Sequence, residues 1–325
     1  PRMVDAWAVF TNNTALIAFQ HVILGAIAVA GSFLVGISWY HLWRRRRAGI
    51  DTVDAQGRVV HHASDLTGRD EIDSRVWVRS LRIGAVVSVI AFVGLTITGD
   101  FQAKLMFEQQ PMKMAAADAV FETEDGVGLS LFATGDFEGN PGGTNRNLQM
   151  PNALSFIMTG KPDSEVKGIN NLNAEYQEKY GPGEYAPIVW IAYWSWRVML
   201  GCGFLLALFG VLGWWLNRRG KLEDSRRFLK FTMPVASLPF IAAAAGWIFT
   251  EMGRQPWVVF GLLKTADANS PTVGAGQIWI TLVGFTLLYG VLAVFAGKLF
   301  FKTAGKGPAE IEEGSEDKPY LGLAY

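Results

Sequence analysis

Five apolar runs set the terms on which this chain can fold. They are Thr14–Trp43, Ile83–Gly99, Ala186–Leu216, Phe231–Glu251 and Gly276–Leu299. Each is roughly 17 to 30 residues long, the length a helix needs to cross a bilayer. A soluble protein can carry one such run by accident, but five imply a polytopic membrane protein. Hydrocarbon offers no water to the backbone, so each run must close its hydrogen bonds internally as a helix. The expected fold is all-α: a polytopic transmembrane helix bundle of five spans with a long external loop. The formal net charge is +0, which removes the bulk electrostatic attraction a nucleic-acid partner would need.

Basic residues sort the connections. Arg44, Arg45, Arg46 and Arg47 follow the first run, and Arg79 and Arg82 precede the second. Arg218, Arg219, Lys221, Arg226, Arg227 and Lys230 link the third and fourth, and Lys298, Lys302 and Lys306 follow the fifth. The positive-inside rule makes these cytoplasmic, so the chain is expected to start outside and end inside. Four sections follow: 1–99, two spans and a cytoplasmic loop; 100–185, the external loop; 186–300, three spans; 301–325, a cytoplasmic tail with Glu310, Glu312, Glu313, Glu316 and Asp317. The external loop leans acidic and carries turn signals at 139–143 and 181–183. Trp190, Trp194, Trp196, Trp214 and Trp215 fall where spans should meet the interface. The one cysteine, Cys202, reads as a small apolar filler. The chain opens at Pro1 without a secretory pattern or an initiator methionine, the expected mark of a piece of a longer protein.

Ionisable and metal-ligating residues inside these runs are the candidate functional ones, because a polar group costs free energy there. His21 sits about two turns inside the first span. It either hydrogen-bonds a neighbouring helix or ligates a metal or haem. Gly25, Ala28, Ser32 and Gly36 lie near the same face, a small-residue stripe that admits a flat cofactor or another helix backbone. His41 reads as an interface residue, and His61 and His62 as solvated. Arg197 lies within an apolar run that holds no acid, so its anion is elsewhere in the chain or on a cofactor. Met199 follows two residues later; histidine with methionine is an axial pair that raises a haem's potential. Trp247 and Glu251 are one turn apart, with Arg254 next and Pro256 ending the helix. Beyond the second span stand Asp100, Glu108, Gln110, Lys113 and Asp118. These read as a solvated loop, or as groups that bind and deprotonate a quinol.

Together these motifs carry a family resemblance. Gly253–Trp257 reads Gly-Arg-Gln-Pro-Trp behind Trp247 and Glu251, Trp196–Met199 reads Trp-Arg-Val-Met, and Gly99-Asp100 is followed by Gln-Pro-Met-Lys-Met-Ala-Ala at Gln110–Ala116. With His21 in Phe-Gln-His-Val, the chain resembles the C-terminal part of subunit I of the cytochrome bd quinol oxidases along essentially its whole length. The resemblance implies that His21 and Met199 are the axial ligands of a low-spin haem b (b558), with Arg197 stabilising its charge. Glu251 would ligate a high-spin haem b (b595), with Trp247 between haems and Arg254 near propionates. Lys113, Asp118 and Asp100 would serve the quinol loop, Asp118 replacing the family's usual glutamate.

The family subunit has nine spans, and the first four, which carry the ligand of haem d, have no counterpart here. The resemblance therefore implies as partners those four helices, present as another chain or omitted, together with subunit II of the oxidase, small accessory subunits, ubiquinol or menaquinol, O2 and the bilayer. The setting would be the bacterial cytoplasmic membrane. The activity would be quinol:oxygen oxidoreduction that builds a proton motive force without pumping, and this chain alone is not expected to reduce oxygen. Two other classes stay open. One is a haem-bearing anchor of a quinone-linked dehydrogenase, disfavoured because His21 and His41 lie about 30 Å apart along one helix. The other is a transporter with Glu251 and Arg197 along its path.

Overall fold

The computed structural model describes residues 5–48, 52–53, 59–60, 68–137, 144–219 and 234–307. His61, His62, the 139–143 turn, the basic cluster from Lys221 to Lys230 and the acidic tail lie outside the described residues. Among those described, four helices are long and apolar enough to cross a membrane. They lie within α2 (Asn13–Arg47), α3 (Gly68–Gln109), α7 (Val189–Arg218) and α9 (Ala275–Lys306). A short α1 (Ala6–Phe10) precedes them, capped by the Asp5 carboxylate on the Trp7 and Ala8 amides. Helices α2, α3 and α9 overrun the apolar runs that foretold them, because polar end residues continue the helical hydrogen bonding into the interface, whereas α7 starts three residues inside its run and ends two beyond it.

The fourth expected span is shorter. Helix α8 covers Leu238–Met252, 15 residues, about 22 Å at helical rise, against a hydrocarbon core of about 30 Å. A turn at Ala236 and Ser237 parts it from helical backbone at Pro234 and Val235. Pro239 lies within the first two positions of α8, where its missing N–H costs nothing, and the Pro234 carbonyl accepts from the Ser237 hydroxyl at 2.6 Å.

Helices α2 and α3 form an antiparallel hairpin. The His41 and Trp77 rings stack at 4.1 Å, Leu24 packs on Gly94, and Thr14 Oγ1 donates to Gln109 Oε1 at 2.9 Å. At the crossing the two backbones touch. A Cβ added to Gly31 would lie 2.7 Å from Ser88 Oγ, and one added to Gly84 would lie 2.8 Å from the Gly31 carbonyl oxygen. With no water to expel between helices in lipid, such close packing is the main attraction available. The small-residue stripe is partly used: Ala28 and Ser32 are buried and Gly36 presses on Ala236, whereas Gly25 has nothing within 4 Å. The point of closest approach, Gly31, was not in the predicted stripe.

Helix α7 runs antiparallel to α3, with Phe92 on Phe204 and Val89 on Gly210, and packs on α8 through Trp196 and Phe249. Helix α9 has no buried residue. It meets α2 near its own end, where Phe33 packs on Phe300, His41 Nε2 donates to the Ala304 carbonyl at 2.6 Å, and Arg44 donates to the Gly305 carbonyl. Cations are favoured on these last, unpaired carbonyls.

The segment after α3 is folded, and it adds short strands to the expected helical structure. It holds α4 (Pro111–Asp118), α5 (Ala153–Thr159) and α6 (Ile169–Tyr180). The fold is mostly helical, with two-stranded antiparallel ribbons outside the apolar runs. These are β1 (Thr52–Val53) with β2 (Val59–Val60), β3 (Glu124–Asp125) with β6 (Glu165–Val166), β4 (Leu129–Gly135) with β5 (Thr144–Met150), and β7 (Trp257–Val259) with β8 (Leu263–Lys264). Water can satisfy a ribbon's edges there, as the bilayer interior cannot. The largest buried cluster unites this segment with α7 and the end of α8: Val120, Val127, Leu154, Leu172 and Tyr185 against Tyr193, Phe249 and Trp257.

The hairpin crossing makes a test. Gly84→Ala should lower the melting temperature of the detergent-solubilised protein, since overpacking a contact costs about 1–3 kcal/mol. Gly25→Ala should leave it unchanged or raise it. Equal melting of both variants would show that the backbone contact carries no weight.

Candidate functional site

The site is organised around α4. Pro111 starts it and Ala119, in the left-handed region at φ 51°, ends it. Every residue from Met112 to Asp118 is buried, so its lysine and its aspartate both need partners inside the protein.

Lys113, 5% exposed, lies against the end of α8. Its ammonium is 4.9 Å from the centre of the Phe249 ring and donates to the Thr250 carbonyl at 3.4 Å. Its stem runs beside Gly253, where an added Cβ would come within 3.0 Å of Lys113 Cγ. Burial, with the nearby Arg254 guanidinium adding to it, brings the Lys113 ammonium down to about 8, against the opposite pull of Glu251. One turn of chain thus carries Glu251 and Arg254, paired at 2.5 Å and each about one-third exposed, next to a buried lysine. Trp247, one turn before Glu251, is 68% exposed, so that flank of α8 is uncovered in this chain.

At the other end of α4, Asp118 is 1% exposed and pairs with Arg197 of α7. The guanidinium has five N–H donors, and the protein meets them all. Nε and Nη2 reach the Ser130 carbonyl at 3.1 and 2.6 Å, and Nη1 reaches the Tyr193 carbonyl at 3.3 Å. Nη1 also reaches the Ala117 carbonyl and Nη2 the Asp118 carboxylate. The Ser130 amide donates to both Asp118 oxygens, at 3.2 and 3.0 Å, and its hydroxyl meets the Tyr193 hydroxyl at 2.7 Å. The guanidinium also stacks 3.4 Å over the Tyr193 ring. Burial pushes the Asp118 carboxyl up to about 6, against the pull of Arg197 and the Ser130 amide. The anion that Arg197 required is therefore in the chain, 79 residues earlier.

His21 and Met199 have separate neighbours. His21 Nδ1 is 3.0 Å from Thr98 Oγ1 on α3, and the Thr98 hydroxyl itself donates back to the Gly94 carbonyl at 2.9 Å. With Nδ1 engaged by Thr98, Nε2 is the ring nitrogen left to meet a ligand. Gly99 flanks the ring; a Cβ there would lie 3.6 Å from it. The Met199 sulfur faces Gly246 on α8, 2.8 Å from where a Cβ would be. Asp100 stands half exposed within the last three turns of α3, which runs on past it to Gln109, and pairs with Lys104 at 2.6 Å.

Several participants had escaped the sequence reading. Ser130 acts mainly through its backbone, which no residue pattern announces. Tyr193 was legible in principle, four residues before Arg197 and so on its face. Thr98 was one more hydroxyl in an apolar run. A further cluster, Tyr176, Tyr180, Tyr185, Trp257 and Phe260, fastens the chain after α8 to α6, with Tyr185 and Trp257 stacked at 5.7 Å and Lys264 donating to the Tyr185 hydroxyl.

Residues 1–308 match the family model of cytochrome bd terminal oxidase subunit I. A Bacillus subtilis protein, cytochrome bd ubiquinol oxidase subunit 1, is 34% identical over 306 residues, covering 94% of this chain and 59% of that protein. An Escherichia coli protein, cytochrome bd-II ubiquinol oxidase subunit 1, is 25% identical over 360 aligned residues, covering 93% and 64%. Among solved structures, that of the bd oxidase from Geobacillus thermodenitrificans superposes with a TM-score of 0.72 at 25% identity, covering 94% of this chain and 61% of that one. The chain thus spans about three fifths of the relatives it matches. Over that span it belongs to the cytochrome bd terminal oxidase subunit I family.

Proposed function

We propose that this chain forms the quinol-oxidising part of a terminal quinol:oxygen oxidoreductase of the bacterial cytoplasmic membrane, working with the four helices that precede it in the family and with subunit II. One observation carries the reading. Helix α4 joins the folded segment after α3 to two of the three helices that bear candidate iron ligands, through Asp118 to α7 and through Lys113 to the end of α8. A quinol bound at this segment would sit within reach of both.

The residues fit haem iron. Among the described residues no three His, Cys, Asp or Glu side chains gather as a cage for a bare ion. Single donors suit an iron whose equatorial ligands come from a porphyrin. His21 offers Nε2 with its other nitrogen already fixed by Thr98, the arrangement that orients a ligating imidazole. Met199 and His21 would hold the low-spin haem b, and Glu251, on the uncovered flank with Trp247, would hold the high-spin one. Arg254 would meet propionates. Haem d would be ligated from the preceding helices. When bound, the haems supply one-electron transfer from quinol to oxygen.

The side chains then do the rest. Lys113 keeps two N–H donors for a head-group oxygen, and Asp100 is an acceptor for a proton leaving it. Asp118 belongs to the same loop. Arg44, Arg79, Arg218 and Lys302 end or begin their helices on the side opposite α4–α6, which supports an external position for the loop. Quinol protons leaving outside and oxygen's protons entering from the cytoplasm would separate charge without a pump. In this reading α8 completes a fifth crossing, helped by the turn before it and by neighbouring helices.

The test is a reduced-minus-oxidised absorption spectrum of the purified complex containing this chain. Two b-type signals and a far-red haem d band are expected; a colourless complex would overturn the reading, and b haem alone would favour a dehydrogenase anchor. Met199→Leu should abolish the low-spin signal while the complex still assembles. Glu251→Ala should disturb ligand binding at the high-spin haem and leave the low-spin signal in place. Lys113→Ala should lower kcat/KM for quinol about 10- to 100-fold, the worth of one hydrogen bond to a charged group. Oxygen reduction by an artificial reductant should persist; equal loss of both would point to misfolding.

A further inference from the structure

Asp118 and Arg197 have a geometry that a quinol-binding pair would not need. Asp118 is sealed off, with both oxygens engaged by Arg197 and the Ser130 amide. Lys113 differs: its only described hydrogen bond is a long one at 3.4 Å. Arg197 in turn has its five donors taken by α4, β4 and its own helix. By bonding the Ala117 carbonyl it also caps the C-terminal end of α4, where a cation is favoured. The guanidinium is thereby a rivet through three elements.

The rivet has a fixed relation to Met199. The two residues are two positions apart on α7, so their side chains leave the helix on different sides. Arg197 is gripped on one side by α4 and β4, and the Met199 sulfur lies in the notch at Gly246 on the other. The grip sets how α7 is turned. At a side-chain radius of about 5–6 Å, a rotation of about 10° would move the sulfur by about 1 Å, enough to change a metal–ligand bond.

We propose that Asp118 acts through Arg197, fixing the rotation of α7 and so the placement of Met199, and does not itself meet the quinol. It is a positioning residue. This rests on the reading of Met199 as an iron ligand. Substrate bound against the loop is thereby connected to the ligand sphere that would take its electrons, through one buried ion pair. Truncating one member of such a pair leaves the other charged and buried, and so displaces it.

The experiment uses the assembled, haem-loaded complex. Asp118→Asn keeps the shape and removes the charge. It should shift the absorption maximum or midpoint potential of the low-spin haem and lower kcat about tenfold, one lost charge-assisted hydrogen bond, while KM for quinol stays within about twofold. Asp118→Glu should restore the wild-type spectrum and rate. In a double-mutant cycle, adding Arg197→Gln to Asp118→Asn should cost much less than the two single effects together, since both remove the same contact. A raised KM with an untouched low-spin signal, or additive effects, would overturn the proposal.

Should Asp118→Asn fail to assemble, Arg197→Lys carries the test. It keeps the charge and loses the fork, and an unshifted low-spin signal in that variant would overturn the proposal equally. The wild-type spectrum and Met199→Leu separate the two levels. If they fail, the ligand reading itself falls; if they hold while the Asp118 and Arg197 variants do not behave as stated, only the positioning role falls.

Discussion

A guanidinium placed in an apolar helix must find acceptors inside the protein, and much of the architecture answers that requirement. Arg197 cannot be neutralised by losing its proton, and burying its charge without partners would cost several kcal/mol. The segment after α3 supplies what is missing: a carboxylate from the end of α4, a carbonyl from the same end, and a carbonyl from β4. Once those are in place, α4 lies flat on α7, its remaining side chains are enclosed, and β4 is held by its Ser130 amide on the Asp118 oxygens. Such a pair adds little net stability compared with apolar residues of similar volume. What it confers is a defined position for each element it touches.

Helix α4 is consequently a bridge with a charge at each end. Its lysine reaches the Glu251–Arg254 turn and its aspartate reaches Arg197, so two apolar helices, α7 and α8, are referred to one short element outside the apolar runs. That is the arrangement expected of a segment that couples a ligand at the membrane surface to groups set deeper in the bundle. The chain belongs to the cytochrome bd subunit I family, and the quinol oxidation proposed for it rests on that membership and this arrangement together.

How much of this was legible beforehand depends on the range of the interaction. The long helices are written in residue-by-residue hydropathy, and α2, α3, α7 and α9 appear where the apolar runs stand. The start of α8 was also legible, since Pro239 is in view and suits the first turn of a helix, but run length alone set the expected bounds. The small-residue stripe located the packed face of α2, yet closest approach depends on Gly84 of the neighbouring helix, so Gly31 could not be singled out from α2 by itself. The loop was misjudged because its fold is held by non-local contacts. Nothing near Asp118 indicates that its partner lies 79 residues away, and nothing near Ser130 marks a backbone that does the work of a side chain. The motifs around His21, Met199 and Glu251 were visible as chemistry, whereas the partner of the His21 ring, Thr98, lies 77 residues away on another helix.

The hairpin of α2 and α3 has one more consequence. Its backbones touch at Gly31 and Gly84, and the His21 ring is tethered at its far end by Thr98 and flanked by Gly99. The imidazole is therefore held by a stiff two-helix frame, with scant freedom to tilt or retreat. An electron hop is quick when the surrounding nuclei need not shift as the charge arrives. Under the haem ligation proposed for His21, a ring clamped in this manner would keep that rearrangement small, and the tight seam between two ordinary helices would then serve to keep a redox relay fast.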